Sequence, residues 1–289
     1  MPKAAVYVAL LCASLLLPLT ARAFDLAIIH APLDEKDHHQ EYIYEALERA
    51  LFVTKESYGN YKMKLARKAI PRDRQFTELL EGKTLTVITS APKANWTGKT
   101  LRVPFPIQKG IGSYRIFLIM EENKDLLKHV TTLGQLKLFS TGANVNWSTT
   151  KILKDHGFNT VDSLGYKNLF NMLSHGRFQT FNRGVNEVAK ELEIFGKDFP
   201  SLTYDKHVLL YTYLPNYFYV TPKQPRLAQR IEFGLKKMHQ NGELDKLFNR
   251  YYGPHLAQFE LQNRRVFEIE NTNLESGWYE HDKPYLLKH

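Results

Sequence analysis

Residues 133–181 read LGQLKLFSTGANVNWSTTKILKDHGFNTVDSLGYKNLFNMLSHGRFQTF, and the order of apolar runs and glycines in this stretch decides the fold. Residues 136–140 form a short apolar run that predicts a strand. Ser140-Thr141-Gly142 reads as the turn after it. Residues 147–156 predict a helix, and the apolar Val161 marks a short strand. Leu169, Phe170 and Leu173 share one face of a further helix that ends before Gly176. Residues 178–181 predict the next strand, and Val185, Val188, Ala189 and Leu192 line the helix after it. Strands alternating with helices of this length predict a parallel sheet with crossover helices.

The same alternation appears upstream. Residues 26–29 predict a strand, Ile43, Ala46, Leu47, Ala50 and Leu51 one face of a helix, and Tyr61, Met63 and Leu65 a half-buried strand. Phe76, Leu79 and Leu80 mark a helix stopped by Gly82, and residues 85–88 a third strand. Residues 91–113 hold Pro92, Pro104, Pro106, Gly98, Gly110 and Gly112, the chemistry of a connector. Residues 114–120 open the second series. After it, apolar strands at 208–213 and 217–220 flank Pro215 and lead into an amphipathic helix carrying Leu227, Ile231, Leu235 and Met238, continued by Leu244, Leu247 and Phe248. From Gln262 the chain is polar and aperiodic, which predicts a surface strap or a disordered tail. Two αβ series joined by a proline-rich connector predict two lobes, with ligand in the cleft at the carboxyl ends of the strands.

Composition agrees with a globular protein. Of 289 residues, 43% are hydrophobic and 24% charged, which excludes collagen-like, coiled-coil and wholly disordered chains. Lys3, the apolar residues 6–19 and Ala21-Arg22-Ala23 predict a secretory signal peptide over residues 1–23. The one cysteine, Cys12, lies within it, so neither a disulfide framework nor a cysteine-based zinc site is expected. An exported chain without further cysteines fits a bacterial periplasm. The formal charge of +9 is spread without long basic runs, so no nucleic-acid partner is expected.

Residues 133–181 resemble the second lobe of type II periplasmic solute-binding proteins. The resemblance rests on Leu133-Gly134-Gln135-Leu136, Ser140-Thr141-Gly142, His156-Gly157-Phe158, Gly165-Tyr166-Lys167-Asn168-Leu169-Phe170 and Leu173-Ser174-His175-Gly176-Arg177-Phe178. Asn241-Gly242-Glu243-Leu244 is similar to the family's closing helices, and the polar amino-acid-binding branch is the nearest in pattern. The resemblance implies an α/β fold of two lobes joined by two crossing strands. Lobe one would span residues 24–112 plus 213–262, lobe two 113–212, and a tail 263–289. It also implies a small-molecule ligand, delivery to the permease of an ABC transporter or to a membrane receptor, no cofactor, and a monomer. Within that family, aspartates commonly occupy the places held here by Gln179 and Arg183, the second holding the ligand's ammonium group. A cation cannot do so, and the ligand class is not carried over.

The candidate ligand contacts are Ser90, Tyr114, Thr141, Gly142, Trp147, Arg183 and Glu187. Ser90 closes the third strand, near where the family places its carboxylate-binding arginine; here Lys93 and Lys99 follow it. Thr141-Gly142 precedes a helix whose free N–H groups suit a carboxylate or phosphate, although Thr141 and Asn146 could simply cap the chain. Tyr114, Trp147 and Trp96 could line the pocket or pack in the core. Arg183 could hold a carboxylate with two N–H groups, oriented by Glu187 four residues on, or pair with Glu187 alone. On the first reading Arg183→Ala would weaken binding at least about tenfold and leave the melting temperature of the ligand-free protein nearly unchanged.

Asp37-His38-His39 with His30 resembles a metal cluster in spelling only, and no metal site is expected. The chain has no Gly-x-Ser-x-Gly elbow, Walker loop or HExxH helix, so no catalytic residue is assigned and binding without turnover is expected. The leading expectation is periplasmic binding of a small polar solute, anionic ones included, by cleft closure for a transporter. The alternatives are a sensory module docking on a membrane receptor, or an enzyme or structural protein derived from the fold.

Overall fold

The structure, a computed structural model, describes residues 24–31, 40–68 and 70–287. The expected signal peptide, Cys12 and the Asp37-His38-His39 triplet lie outside the described residues.

Lobe one begins with β1 (Asp25–Ile29), α1 (Glu41–Phe52), a single turn α2 (Lys55–Tyr58), β2 (Tyr61–Leu65), α3 (Arg72–Glu81), β3 (Val87–Ser90) and the short β4 (Leu101–Arg102). β1 and β2 pair in parallel. Ile28 N donates to Thr86 Oγ1 at 2.8 Å and Thr86 N to Ile28 O at 2.9 Å, which ties this pair to the approach of β3. Gly82 ends α3 with φ +65°, a left-handed conformation that glycine adopts without strain.

Lobe two comprises β5 (Tyr114–Met120), α4 (Leu133–Leu136), β6 (Thr141–Asn144), α5 (Ser148–Asp155), β7 (Thr160–Ser163), α6 (Tyr166–Ser174), β8 (Thr180–Gly184), α7 (Val185–Phe195), β9 (Leu202–Tyr204) and β10 (Val208–Tyr211). The chain then returns as β11 (Tyr217–Val220), which lies between β3 and β4, and continues as α8 (Pro225–Gln240) and α9 (Glu243–Phe259). In lobe two the strand order is β10-β5-β8-β6-β7, with β9 also on β5. β8, β6 and β7 run parallel while β5 is antiparallel to β8 and β10.

The third strand, read at residues 85–88, lies at Val87–Ser90, and two strands of lobe two also differ from the sequence reading. Residues 136–140 do not form a strand: Thr132 and Gln135 make a reciprocal capping box that holds 133–136 in a helical turn. The strand is Thr141–Asn144 instead, with all four residues buried. A strand buried on both faces shows no alternation, and its small residues TGAN give no apolar signal. The strand expected at 178–181 lies at 180–184 for the same reason: its last three residues, Asn182, Arg183 and Gly184, are polar or small yet buried.

The segment after Gln262, read as strap or disorder, is ordered over residues 264–287. It supplies β12 (Arg265–Glu268), which pairs in parallel with β10 and adds a further strand to the lobe-two sheet. It then crosses back through α10 (Trp278–Asp282) and a 3₁₀ turn at Lys283–Tyr285. Among the described residues no helix is long and apolar enough to cross a membrane.

Candidate functional site

The carboxyl ends of β3, β6 and β8 point into one space between the lobes. Residues of both lobes and of the two crossing segments enclose a cavity of about 470 Å³ there, a volume suited to a small molecule. Lobe one contributes Ser90, Ala91 and Lys93; lobe two contributes Asn144, Trp147, Ser148, Arg183 and Glu187, among others. The crossing segments contribute Gln108, Gly110, Pro215 and Asn216. The lobes touch at its rim, where Ser148 Oγ donates to Pro92 O at 3.5 Å.

Two arginines from adjacent central strands supply the charge. Arg183 is paired in register with Ile116, and Arg115 with Gly184. Arg183 is 4% exposed. Its Nε donates to Glu191 Oε1 at 2.8 Å and its Nη2 to Glu187 Oε1 at 2.7 Å. The guanidinium lies 4.5 Å from the Trp147 ring centre and 5.5 Å from that of Tyr166. Burial opposes its charge, but Glu187 and Glu191 outweigh burial and hold its pKa above the usual arginine value. Nη1 has no hydrogen bond among the described residues. Glu187 also accepts from Gly184 N through Oε2, at 2.9 Å, which closes the first turn of α7.

Arg115, 3% exposed, donates from Nε to Asn182 Oδ1 at 2.6 Å and from Nη2 to Asn182 O at 3.0 Å. Burial pushes its pKa down to about 10, partly against the pull of Glu187. Asn186 Oδ1, buried on the same wall, has no hydrogen-bond partner among the described residues. Sequence reasoning missed Arg115. The signal was present: it is a single cation in the otherwise apolar strand YRIFLIM, and a buried cation in such a strand needs a polar destination.

The turn after β6 is built by Asn144. Its Oδ1 accepts from Asn146 N at 3.0 Å, and its Nδ2 donates to Leu164 O at 2.8 Å. This presents the N-terminus of α5, whose N-cap Trp147 provides no side-chain cap, to the cavity.

The candidates therefore divide. Ser90, Trp147, Arg183 and Glu187 all line the cavity. Thr141, Gly142 and Tyr114 do not. Thr141 is 1% exposed and its Oγ1 accepts from Asn182 N, so it braces the sheet. Tyr114 packs edge-on against Tyr211 at 5.1 Å on the first pair of β5 and β10. Gly142 faces the Phe178 ring, where an added Cβ would lie 2.3 Å from Cζ. Gly142→Ala is expected to destabilise the protein by about 1–3 kcal/mol through overpacking, measured by urea unfolding. Combining it with Phe178→Leu should recover part of the loss; no recovery would argue against this contact. Of the other aromatic candidates, Trp96 stacks on Phe76 at 5.0 Å and belongs to the core of lobe one.

The burial of Arg183 argues against the expectation that it is dispensable for stability. Arg183 does pair with Glu187, as the simpler sequence reading had it, and also with the buried Glu191, which no spacing in the chain pointed to. His30 is buried, with its Nδ1 3.2 Å from Ala31 O, and no cluster of metal-ligating side chains occurs among the described residues.

No protein-family model matches the chain, and no curated protein matches it in sequence. Solved structures do match in fold. One comes from a study of glutathione import in Gram-positive bacteria and the cystine ABC importer of Streptococcus mutans (TM-score 0.55, 15% identity, 80% of this chain and 96% of that one). Another is a Salmonella typhimurium periplasmic binding protein of high arginine specificity (TM-score 0.54, 14% identity, 79% and 99%). A third is a histidine kinase sensor domain with similarity to periplasmic binding proteins (TM-score 0.52, 13% identity, 79% and 96%). The chain has the two-lobe α/β fold of type II periplasmic binding proteins, as the resemblance over residues 133–181 implied.

Proposed function

We propose that the protein binds a small polar solute carrying a negative group, such as a carboxylate, in the cavity between its lobes, and does so on the periplasmic side of a bacterial membrane. The observation that carries this reading is the charge of the cavity wall. Lys93, Arg115 and Arg183 line it, while among its described lining residues the sole acid is Glu187. Glu187 is already engaged by Arg183 and by Gly184 N. The unpartnered Nη1 of Arg183 and the uncapped start of α5 are donors suited to a carboxylate. An ammonium group would find no uncommitted carboxylate in this wall, so a carboxylic acid is preferred over its α-amino counterpart.

The reading includes no catalytic step. No histidine or cysteine is among the described lining residues, and Ser90 Oγ donates to the Ala91 carbonyl rather than to a base. The fold is shared with transporter-linked proteins and with a sensor domain. Delivery to a permease is the role proposed, and docking on a membrane receptor uses the same binding step.

A thermal-shift panel of paired carboxylic and amino acids, sugars and short peptides tests this. A ligand present at 100 times its Kd stabilises the folded state by about 2.7 kcal/mol. At least one acid is expected to raise the melting temperature, and its α-amino partner to raise it less. A panel in which only amino acids, or only uncharged solutes, stabilise the protein would overturn the proposed class. Turnover of any binder would overturn the non-catalytic reading.

A further inference from the structure

We propose that the C-terminal strap, residues 269–287, is a clasp that restricts how far the two lobes separate.

The strap starts on lobe two. β12 extends that lobe's sheet, and Arg265 Nη1 donates to Val130 O. His156 Nε2 lies 2.8 Å from Glu270 O, and Thr272 bonds to Asp155. At the mouth of the cleft Asn273 Nδ2 donates to Ser148 O at 3.2 Å, and Ser148 is itself a cavity residue. Two residues later the strap reaches lobe one, where Thr97 Oγ1 donates to Glu275 Oε1 at 2.6 Å. From Asn273 to Glu275 is two Cα steps, about 7 Å fully extended, so the rim contacts on the two lobes are held on a short tether.

Beyond Glu275 the strap is anchored firmly to lobe one and to the crossing segments. The Arg102 guanidinium lies 3.7 Å from the Trp278 ring centre. Tyr285 packs on Phe105 at 4.5 Å, and Leu287 N donates to Lys109 O at 2.8 Å. Asp282, fully buried, accepts from the hydroxyls of Tyr213 and Tyr217, one on the returning crossing and one on β11. Asn271 Nδ2 donates to Tyr213 O at 2.8 Å. Separating the lobes about the crossings therefore pulls the strap between its lobe-two contacts, Asn273–Ser148 and Thr272–Asp155, and its lobe-one contacts, Glu275–Thr97 and Trp278–Arg102, and one of the two sets must break. A fold hinged on two crossing segments alone would meet no such resistance.

The test measures the distance between the lobes in the ligand-free, full-length protein. Nitroxide labels are placed on cysteines at the exposed Lys83 of lobe one and Glu122 of lobe two, with Cys12→Ser. Pulsed electron paramagnetic resonance then reads the distance distribution. In Trp278→Ala, and in the double variant Asn273→Ala/Glu275→Ala that cuts the rim on both sides, the population at distances beyond the wild-type maximum is expected to rise at least threefold. The double variant alters the partly exposed rim and keeps the test decisive if Trp278→Ala fails to fold. Distributions equal to wild type in a folded variant would overturn the clasp.

Discussion

Arg183→Ala is expected to destabilise the ligand-free protein by about 3–5 kcal/mol, the loss typical when one partner of a buried ion pair is removed. Glu191 is 1% exposed, and its Oε1 takes Nε and Nη2 of Arg183 and the Tyr166 hydroxyl. Without the guanidinium it becomes an uncompensated carboxylate in the core of lobe two. The aromatic rings of Trp147, Tyr166 and Phe181 would also lose the cation that they enclose. At about 2–4 °C per kcal/mol for a chain of this size, the melting temperature should fall by about 10 °C. Urea unfolding measures the change as a shift in midpoint at constant slope. Arg183→Met combined with Glu187→Gln and Glu191→Gln should recover most of it, because no buried charge is then left alone. An Arg183→Ala protein as stable as wild type would mean that the Arg183–Glu191 pair is not buried.

Ser148→Glu is expected to leave stability unchanged or slightly raised and to weaken binding of an acidic ligand at least about 100-fold, or about 2.7 kcal/mol. A carboxylate in the first turn of α5 interacts favourably with the helix dipole, so the fold does not suffer. The same carboxylate occupies the N–H groups offered to the ligand and repels its negative group. Ser148→Gln, of similar size and without charge, separates bulk from charge and should bind more tightly than Ser148→Glu. Equal affinities for the two variants would place the ligand's negative group elsewhere in the cavity.

These two residues show what the sequence revealed and where its signal ended. Helices with a clear apolar face, such as Ile43, Ala46, Leu47, Ala50 and Leu51 in α1, were legible because a helix with one wet side carries its own periodicity. β11 was legible because Tyr217–Val220 is an apolar run bounded by Pro215 and Thr221. β6 and the end of β8 were not. Their residues are small or polar and buried, and only the neighbouring strands explain why. The same holds for the site. Position along the family pattern led to Ser90 and Arg183, helical spacing to Glu187 and an aromatic near a lobe edge to Trp147, whereas Thr141 and Gly142 were misplaced by the strand shift. Arg115 reaches Asn182 from the neighbouring strand and Glu191 reaches Arg183 from two turns along α7, and contacts of that kind are set by tertiary packing. A strap was one of the two readings of the tail, but what it touches was out of reach in a different way. Its contacts are single hydrogen bonds and ring stackings spread over both lobes, and these leave no periodic trace in sequence.

The central claim is that the cleft recognises a negative group on its solute. Isothermal titration of the tightest-binding acid against its methyl ester tests this most directly, since esterification removes the charge and little else. The account predicts that the ester binds at least about 100-fold more weakly than the acid, corresponding to about 2.7 kcal/mol. Equal affinities for acid and ester would contradict it.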